Sequence, residues 1–504
     1  MHKGDLAMGV AFQLEPSVDR FVKAPPRKML IGGKWVDAVS GKTFATVNPA
    51  DGSELARVAE GDAEDVDRAA KAARKAFDDG PWPHMAPTER QRILLKVADL
   101  IETHGKELAQ LETLDNGKAL FETENVDIPQ AAGTFRYYAG WVNKITGETS
   151  PTDPGYFNFT LREPVGVCGQ IIPWNFPLLM AAWKLGPALA CGNTVVLKPA
   201  EQTPLTALRL GELLLEAGVP EGVVNIVPGF GETAGAAIVR HRMIDKVAFT
   251  GSTEVGKLIQ REASDTLKRV SLELGGKSPN IVFADADIAA AVQGALMGVF
   301  FNQGEVCCAG TRLFVEQKIH DEFAAALATA AGTMKQGPGL EPGVQVGPLV
   351  SQEQLDRVTG YLAIGKKEGA TAILGGERNT APGLEKGYFV KPTVFTGVNN
   401  DMRIAQEEIF GPVVSVLPFK DEHDAVFEGN RTLYGLAAGV WTKDVSKAHR
   451  VARAIRAGTV WVNCYNVFDV VSPFGGYKQS GYGRELSHYA LDLYTNVKSV
   501  WLKI

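Results

Sequence analysis

Apolar and polar positions change period along the chain. Between residues 88 and 117, Ile93, Leu94, Val97, Leu100 and Ile101 recur at helical spacing and form one stripe. Thr88 and Gln91 read as a capping box at its start, and Asn116-Gly117 as its stop. From residue 165 short apolar runs alternate with helical stretches. Strands are predicted over 165–172, 194–197, 223–227 and 246–250, and helices over 178–190, 206–217, 234–240 and 255–263. The alternation restarts with a strand at 280–283, a helix at 288–301 and a strand at 311–316. Continuously apolar strands joined by helices predict a parallel sheet covered on both faces, an α/β fold. Such sheets bind ligands at the carboxyl ends of their strands. The restart predicts a second α/β domain, with the boundary near 270–280. Met29-Leu30-Ile31, Gly32-Gly33 and Lys34-Trp35-Val36 predict a β-hairpin. Residues 1–27 read as a loose arm stopped by Pro25-Pro26, and 497–502 as an edge strand open to a partner subunit.

Length and composition narrow the function classes. A chain of 504 residues exceeds one typical core, so two or more domains are expected. Apolar residues make up 45% and charged residues 22%, as in ordinary globular proteins. The net charge, 52 − 58 = −6, offers no general attraction to nucleic acid or anionic lipid. The cysteines at 168, 191, 307, 308 and 464 include no C-x-x-C pair and no Cys/His cluster, so no metal site is expected. Their odd, sparse set suggests a reducing compartment. The apolar run at 6–12 is too short for a signal segment, and no run reaches the ~18 apolar residues of a membrane span. A cytoplasmic protein is expected.

Candidate chemistry centres on Cys307. It follows Phe301-Asn302-Gln303-Gly304-Glu305-Val306 at the end of an apolar helical run, where a turn can present a thiol as a nucleophile. In Arg269-Val270-Ser271-Leu272-Glu273-Leu274-Gly275-Gly276 the alternation throws Glu273 to the face opposite Leu272, at a strand end beside two glycines. Spacing alone leaves Glu273 equally a general base or a surface glutamate. Asn175, in Pro173-Trp174-Asn175-Phe176-Pro177, lies on a rigid turn; it is either an oxyanion donor or the cap of the following helix. Lys198 and Glu201 end a strand and could hold a phosphate or ribose, or pair locally. Glu408, beside Phe410, is a carboxylate that reads by default as a solvated turn. The loop Gly251-Ser252-Thr253-Glu254-Val255-Gly256-Lys257 matches a phosphate-binding P-loop in part. Leu258 replaces the magnesium-binding hydroxyl, and Glu254 would repel a triphosphate. Gly229-Phe230-Gly231-Glu232-Thr233-Ala234-Gly235 is one residue too long for a dinucleotide fingerprint.

Taken together, the motifs at 173–177, 197–201, 251–256, 272–279, 301–310, 407–413 and 473–478 resemble, in order, those of the aldehyde dehydrogenase superfamily, within it the hydrolytic, non-acylating enzymes. The resemblance runs from about residue 48 to 504. It implies a Rossmann-like NAD-binding domain (28–145 and 165–274), a catalytic domain (275–484) and oligomerisation strands (146–164 and 485–504). It implies Cys307 as nucleophile, with Cys308 a bystander, Glu273 as general base and Asn175 as oxyanion donor. It assigns NAD contacts to Ile171, Trp174, Lys198, Glu201, Gly231, Phe249, Gly251, Ser252, Leu274, Glu408 and Phe410. Glu201 favours NAD over NADP, because a 2′-phosphate would meet like charge. Phe176, Trp183, Phe468 and Phe474 fall where the family lines its substrate tunnel. They favour a neutral aliphatic or aryl-alkyl aldehyde such as phenylacetaldehyde, with betaine aldehyde as the alternative. Glu305-Val306, where relatives vary, is expected to shape the substrate mouth. A homodimer or homotetramer is expected. An acylating enzyme and a nucleotide hydrolase using 251–257 are the competing readings.

Overall fold

The computed structural model describes residues 13–504. The run at 6–12 lies outside the described residues. The described residues form four sheets, the smallest pairing Thr43–Val47 with Glu54–Ala59. The first has eight strands, in the spatial order Gly481–Tyr482, Arg269–Glu273, Lys246–Thr250, Val167–Ile171, Thr194–Lys198, Val224–Ile226, Met29–Ile31 and Lys34–Val36. Its five central strands run parallel and are almost wholly buried, which is why they read as unbroken apolar runs. Helices Pro177–Ala190, Leu205–Ala217, Ala236–Arg240 and Thr253–Ala263 make the crossovers. The predicted hairpin is present, with Met29 opposite Val36.

The second sheet has seven strands, in the order Thr371–Leu374, Thr393–Thr396, Val413–Phe419, Arg312–Glu316, Pro279–Val282, Ala437–Trp441 and Thr459–Val462. All are parallel except the first pair. The chain passes between the two sheets at 274–278. Strand Gly481–Tyr482 returns to the first sheet, so the C-terminal part of the chain is not confined to the second. A third sheet pairs Thr495–Lys503 with Tyr156–Pro164 along nine register positions, and Thr149–Ser150 joins the far side. Thr495–Lys503 is thus an edge strand, as expected.

Four expectations need correction. The stretch 88–117 is two helices, Pro87–Thr103 and Gly105–Asn116, broken where His104 leaves helical geometry ahead of Gly105, a poor helix former. No capping box forms there: Pro87 takes the first helical position, so Thr88 already lies inside the first turn. The arm is not loose throughout, since Pro16–Val22 is a helix that buries Val18 and Phe21. Residues 485–494 are not a strand; they hold the short helix Tyr489–Leu493.

Candidate active site

A cavity of about 1310 Å³ opens where the carboxyl ends of the first sheet face the second sheet. Cys307 reaches it from the turn that follows helix Ile288–Phe300. Asn302 (φ 47°), Gln303 (φ 44°) and Gly304 (φ 79°) all adopt left-handed backbone, which breaks the helix and swings the cysteine out. A Cβ on Gly304 would lie 2.2 Å from Gly411 O, so only glycine fits that turn. Cys307 is partly exposed, whereas Cys308 is buried and its thiol meets Asn466 Oδ1 at 3.5 Å.

Glu273 enters from the other side, at the end of strand Arg269–Glu273. It is only 5% exposed, which removes the surface-glutamate reading. A Cβ on Gly276 would lie 2.4 Å from Cys307 O, so that glycine lets the nucleophile turn pack against the segment leaving Glu273. Burial, then the charge of Glu485, pushes the Glu273 carboxyl well above its usual range, against the pull of Lys184. Its Oε2 has no hydrogen-bond partner among the described residues. The Cys308 thiol beside it, with burial next, pushes the Cys307 thiol up as well.

Asn175 does not cap the helix Pro177–Ala190; Glu112 Oε2 does, accepting from Leu178 N at 3.0 Å. The Asn175 amide instead donates to Glu305 O at 2.8 Å, at the base of the cysteine turn, and lines the cavity. Glu305 does not shape the mouth. It is fully buried, accepting from Val350 N and Gln303 Nε2 at 3.1 Å each, and burial raises its carboxyl to about 8. Val306 reaches the cavity in its place.

Phe176, Trp183, Phe468 and Phe474 all line the cavity. Trp183, Phe468 and Phe474 make an edge-packed cluster with ring centroids 5.5–6.3 Å apart, and Phe176 stacks on Phe301 at 6.2 Å. Leu179 and Met180 add to this wall, one helical turn from Trp183, and were not picked out from the sequence. Lys184 and Glu485 were missed too. They pair in the interior below Glu273, 301 residues apart, and Lys184 also donates to Thr250 Oγ1 at 2.7 Å. No local pattern marks them.

The nicotinamide-side candidates gather on the opposite wall. Trp174, Gly251, Ser252, Leu274, Glu408 and Phe410 line the cavity, with Trp174 edge-on to Phe410 at 5.2 Å. Glu408 is not a solvated turn residue: Gly276 N donates to its Oε1 at 2.9 Å, and burial raises its carboxyl to about 7. Ser252 caps helix Thr253–Ala263, whose N-terminus faces this wall. Lys198, Ile171, Phe249, Glu201 and Gly231 do not line the cavity. Lys198, Ile171 and Phe249 are register partners across adjacent strands, so they form one row along the carboxyl edge. Glu201 follows it and pairs with Lys198 Nζ at 3.1 Å, so the local ion pair is real in this state. A Cβ on Gly231 would meet nothing within 4 Å. A row of strand ends, a helix N-terminus and two carboxylates of ribose-binding type fit a dinucleotide. Among the described residues no group of three His, Cys, Asp or Glu side chains converges as metal ligands.

The aldehyde dehydrogenase family matches residues 35–500. The chain is 53% identical over 501 residues to the mitochondrial aldehyde dehydrogenase of Homo sapiens, covering 99% of this chain and 96% of that one. It is 52% identical over 491 residues to the mitochondrial benzaldehyde dehydrogenase of Antirrhinum majus, covering 97% and 91%. The NAD+ complex of an aldehyde dehydrogenase from Bacillus cereus superimposes with a TM-score of 0.96 at 55% identity, covering 98% of this chain and all of that one. The chain belongs to the aldehyde dehydrogenase family, a family of oxidoreductases.

Proposed function

We propose that the protein oxidises apolar aldehydes to carboxylic acids with NAD, through a covalent adduct on Cys307. The observation that carries this reading is the packing of the Cys307 turn against Gly276, which brings thiol and Glu273 carboxyl into one cavity with aromatic walls. The Cys307 thiolate adds to the aldehyde carbon and forms a thiohemiacetal. The free N–H of the Asn175 amide and the Cys307 backbone N–H receive the oxyanion. A bound NAD supplies the hydride acceptor that converts this adduct into a thioester. Glu273 takes a proton from water, the hydroxide attacks the thioester carbon, and the acid leaves as the Cys307 sulfur is released. Lys198 and Glu201 would hold the adenosine ribose and Glu408 the nicotinamide ribose. Trp183, Phe468 and Phe474 pack as one apolar aromatic cluster on the cavity wall, which supports hexanal- or phenylacetaldehyde-like substrates; the benzaldehyde-oxidising relative points the same way.

The sheet ending at Thr495–Lys503 leaves Tyr156, Phe157, Val497, Trp501 and Leu502 exposed, which supports a homodimer or homotetramer built on that edge. Five unpaired cysteines support a reducing, cytoplasmic setting. No helix among the described residues is long and apolar enough to cross a membrane. The substrate reading is tested by kcat/KM for hexanal, phenylacetaldehyde and betaine aldehyde. The first two are expected to exceed the third by about tenfold or more, since apolar rings gain from burying a neutral apolar tail whereas a cation must first be stripped of water. A higher value for betaine aldehyde overturns the ranking.

A further inference from the structure

Asn175 lies on a turn between strand Val167–Ile171 and helix Pro177–Ala190, outside any regular hydrogen-bond ladder. Its backbone carbonyl accepts from Lys118 Nζ at 2.8 Å and from Asn302 Nδ2 at 2.8 Å. Its own amide donates to Glu305 O at 2.8 Å. That bond uses one of the two amide N–H groups and leaves the other for a ligand oxygen. Lys118 is fully buried, 4.0 Å from the centroid of the Phe176 ring. Its Nζ is paired at 2.6 Å with Asp127, which closes the π-helical turn Thr123–Asp127. One cation therefore grips both Asn175 and Phe176 from beneath, and its own place is fixed by a carboxylate. A buried ion pair gives a core little that apolar side chains of the same volume would not give. Its position under the oxyanion turn calls for another reason.

We propose that Lys118 is a positioning residue: by holding the Asn175 backbone it aims the free amide N–H at the oxyanion of the Cys307 adduct. This rests on the reading of Asn175 as oxyanion donor. Asp127 and Asn302 serve the same end, one by placing the ammonium and the other by tying the Asn175 carbonyl to the cysteine turn.

The test compares kcat/KM for hexanal in Asn175→Ala, in Lys118→Met/Asp127→Asn and in the triple variant. NADH binding, and alkylation of Cys307 by iodoacetamide, a reaction that builds no oxyanion, are measured beside it. Asn175→Ala is expected to lose about 10²–10³-fold. Lys118→Met/Asp127→Asn is expected to lose about tenfold or more, chiefly in kcat, with alkylation and NADH binding within about twofold. It should add little to Asn175→Ala, because both act on one interaction. Undiminished turnover in Asn175→Ala overturns the oxyanion reading and this inference with it. A deep loss there, beside undiminished turnover in Lys118→Met/Asp127→Asn, overturns the inference alone. So does a loss fully additive with Asn175→Ala, or an equal fall in alkylation, either of which makes Lys118 a general structural residue. If the double variant does not melt cooperatively, Lys118→Leu/Asp127→Leu, an apolar replacement of the pair that also removes the donor to the Asn175 carbonyl, is read by the same criteria.

Discussion

Glu273 and Cys307 share one cavity, and each is held toward its protonated form. The proposed chemistry needs both deprotonated. A raised pKa keeps the unreactive form to higher pH, so kcat/KM is expected to climb with pH above neutrality. Glu273→Gln removes one of the two ionisations and the base. Turnover should fall by about 10²–10⁴-fold, and the pH profile should keep only the thiol limb. A pH series on both proteins checks this; a Glu273→Gln rate within a factor of about two of the parent sinks the assignment. Which side of a strand Glu273 faces was legible from the alternation of Val270, Leu272 and Leu274. Its burial was not, because what covers it comes from residues such as Gly475 and Glu485, some two hundred positions later. Lys118 illustrates the same limit. Its partners Asp127, Asn175 and Phe176 meet it only in the folded chain, and in the linear pattern it is just a lysine after a helix stop.

At the scale of elements, the parallel strands of the first sheet end together, and those ends carry Ile171, Lys198, Phe249, Thr250 and Glu273. These strands were legible because burial on both faces leaves each a short run of apolar residues, and their boundaries agree to within about two residues. The helical stripe at 93–101 was legible for the same reason. The break at His104 was not, since the apolar spacing runs on through it although Gly105, a poor helix former, follows. Placing Glu201 just past one strand end has a consequence for cofactor choice. Its carboxylate suits a free ribose hydroxyl and opposes a 2′-phosphate. The NAD rate at subsaturating cofactor should exceed the NADP rate. Glu201→Gln should raise relative use of NADP by about tenfold or more, by removing like charge and freeing Lys198. An NADP rate equal to the NAD rate in the parent protein contradicts this.

At the scale of the molecule, neither sheet holds the proposed machinery alone. Glu273 and Asn175 belong to the first sheet and its crossover, while Cys307 arrives from the helix that feeds the second. Gly276 is where the two meet, at the passage from one sheet to the other. The restart of the βα pattern after 280 made the two-sheet plan legible. The return of Gly481–Tyr482 to the first sheet was not, because a two-residue strand leaves no periodic trace. The central claim is that this junction exists to acylate one sulfur and release it again. The most direct measurement is NADH formation from hexanal by Cys307→Ser. The account predicts a loss of more than about 10⁴-fold, with the fold and NADH binding retained. NADH formation at the parent rate would contradict it.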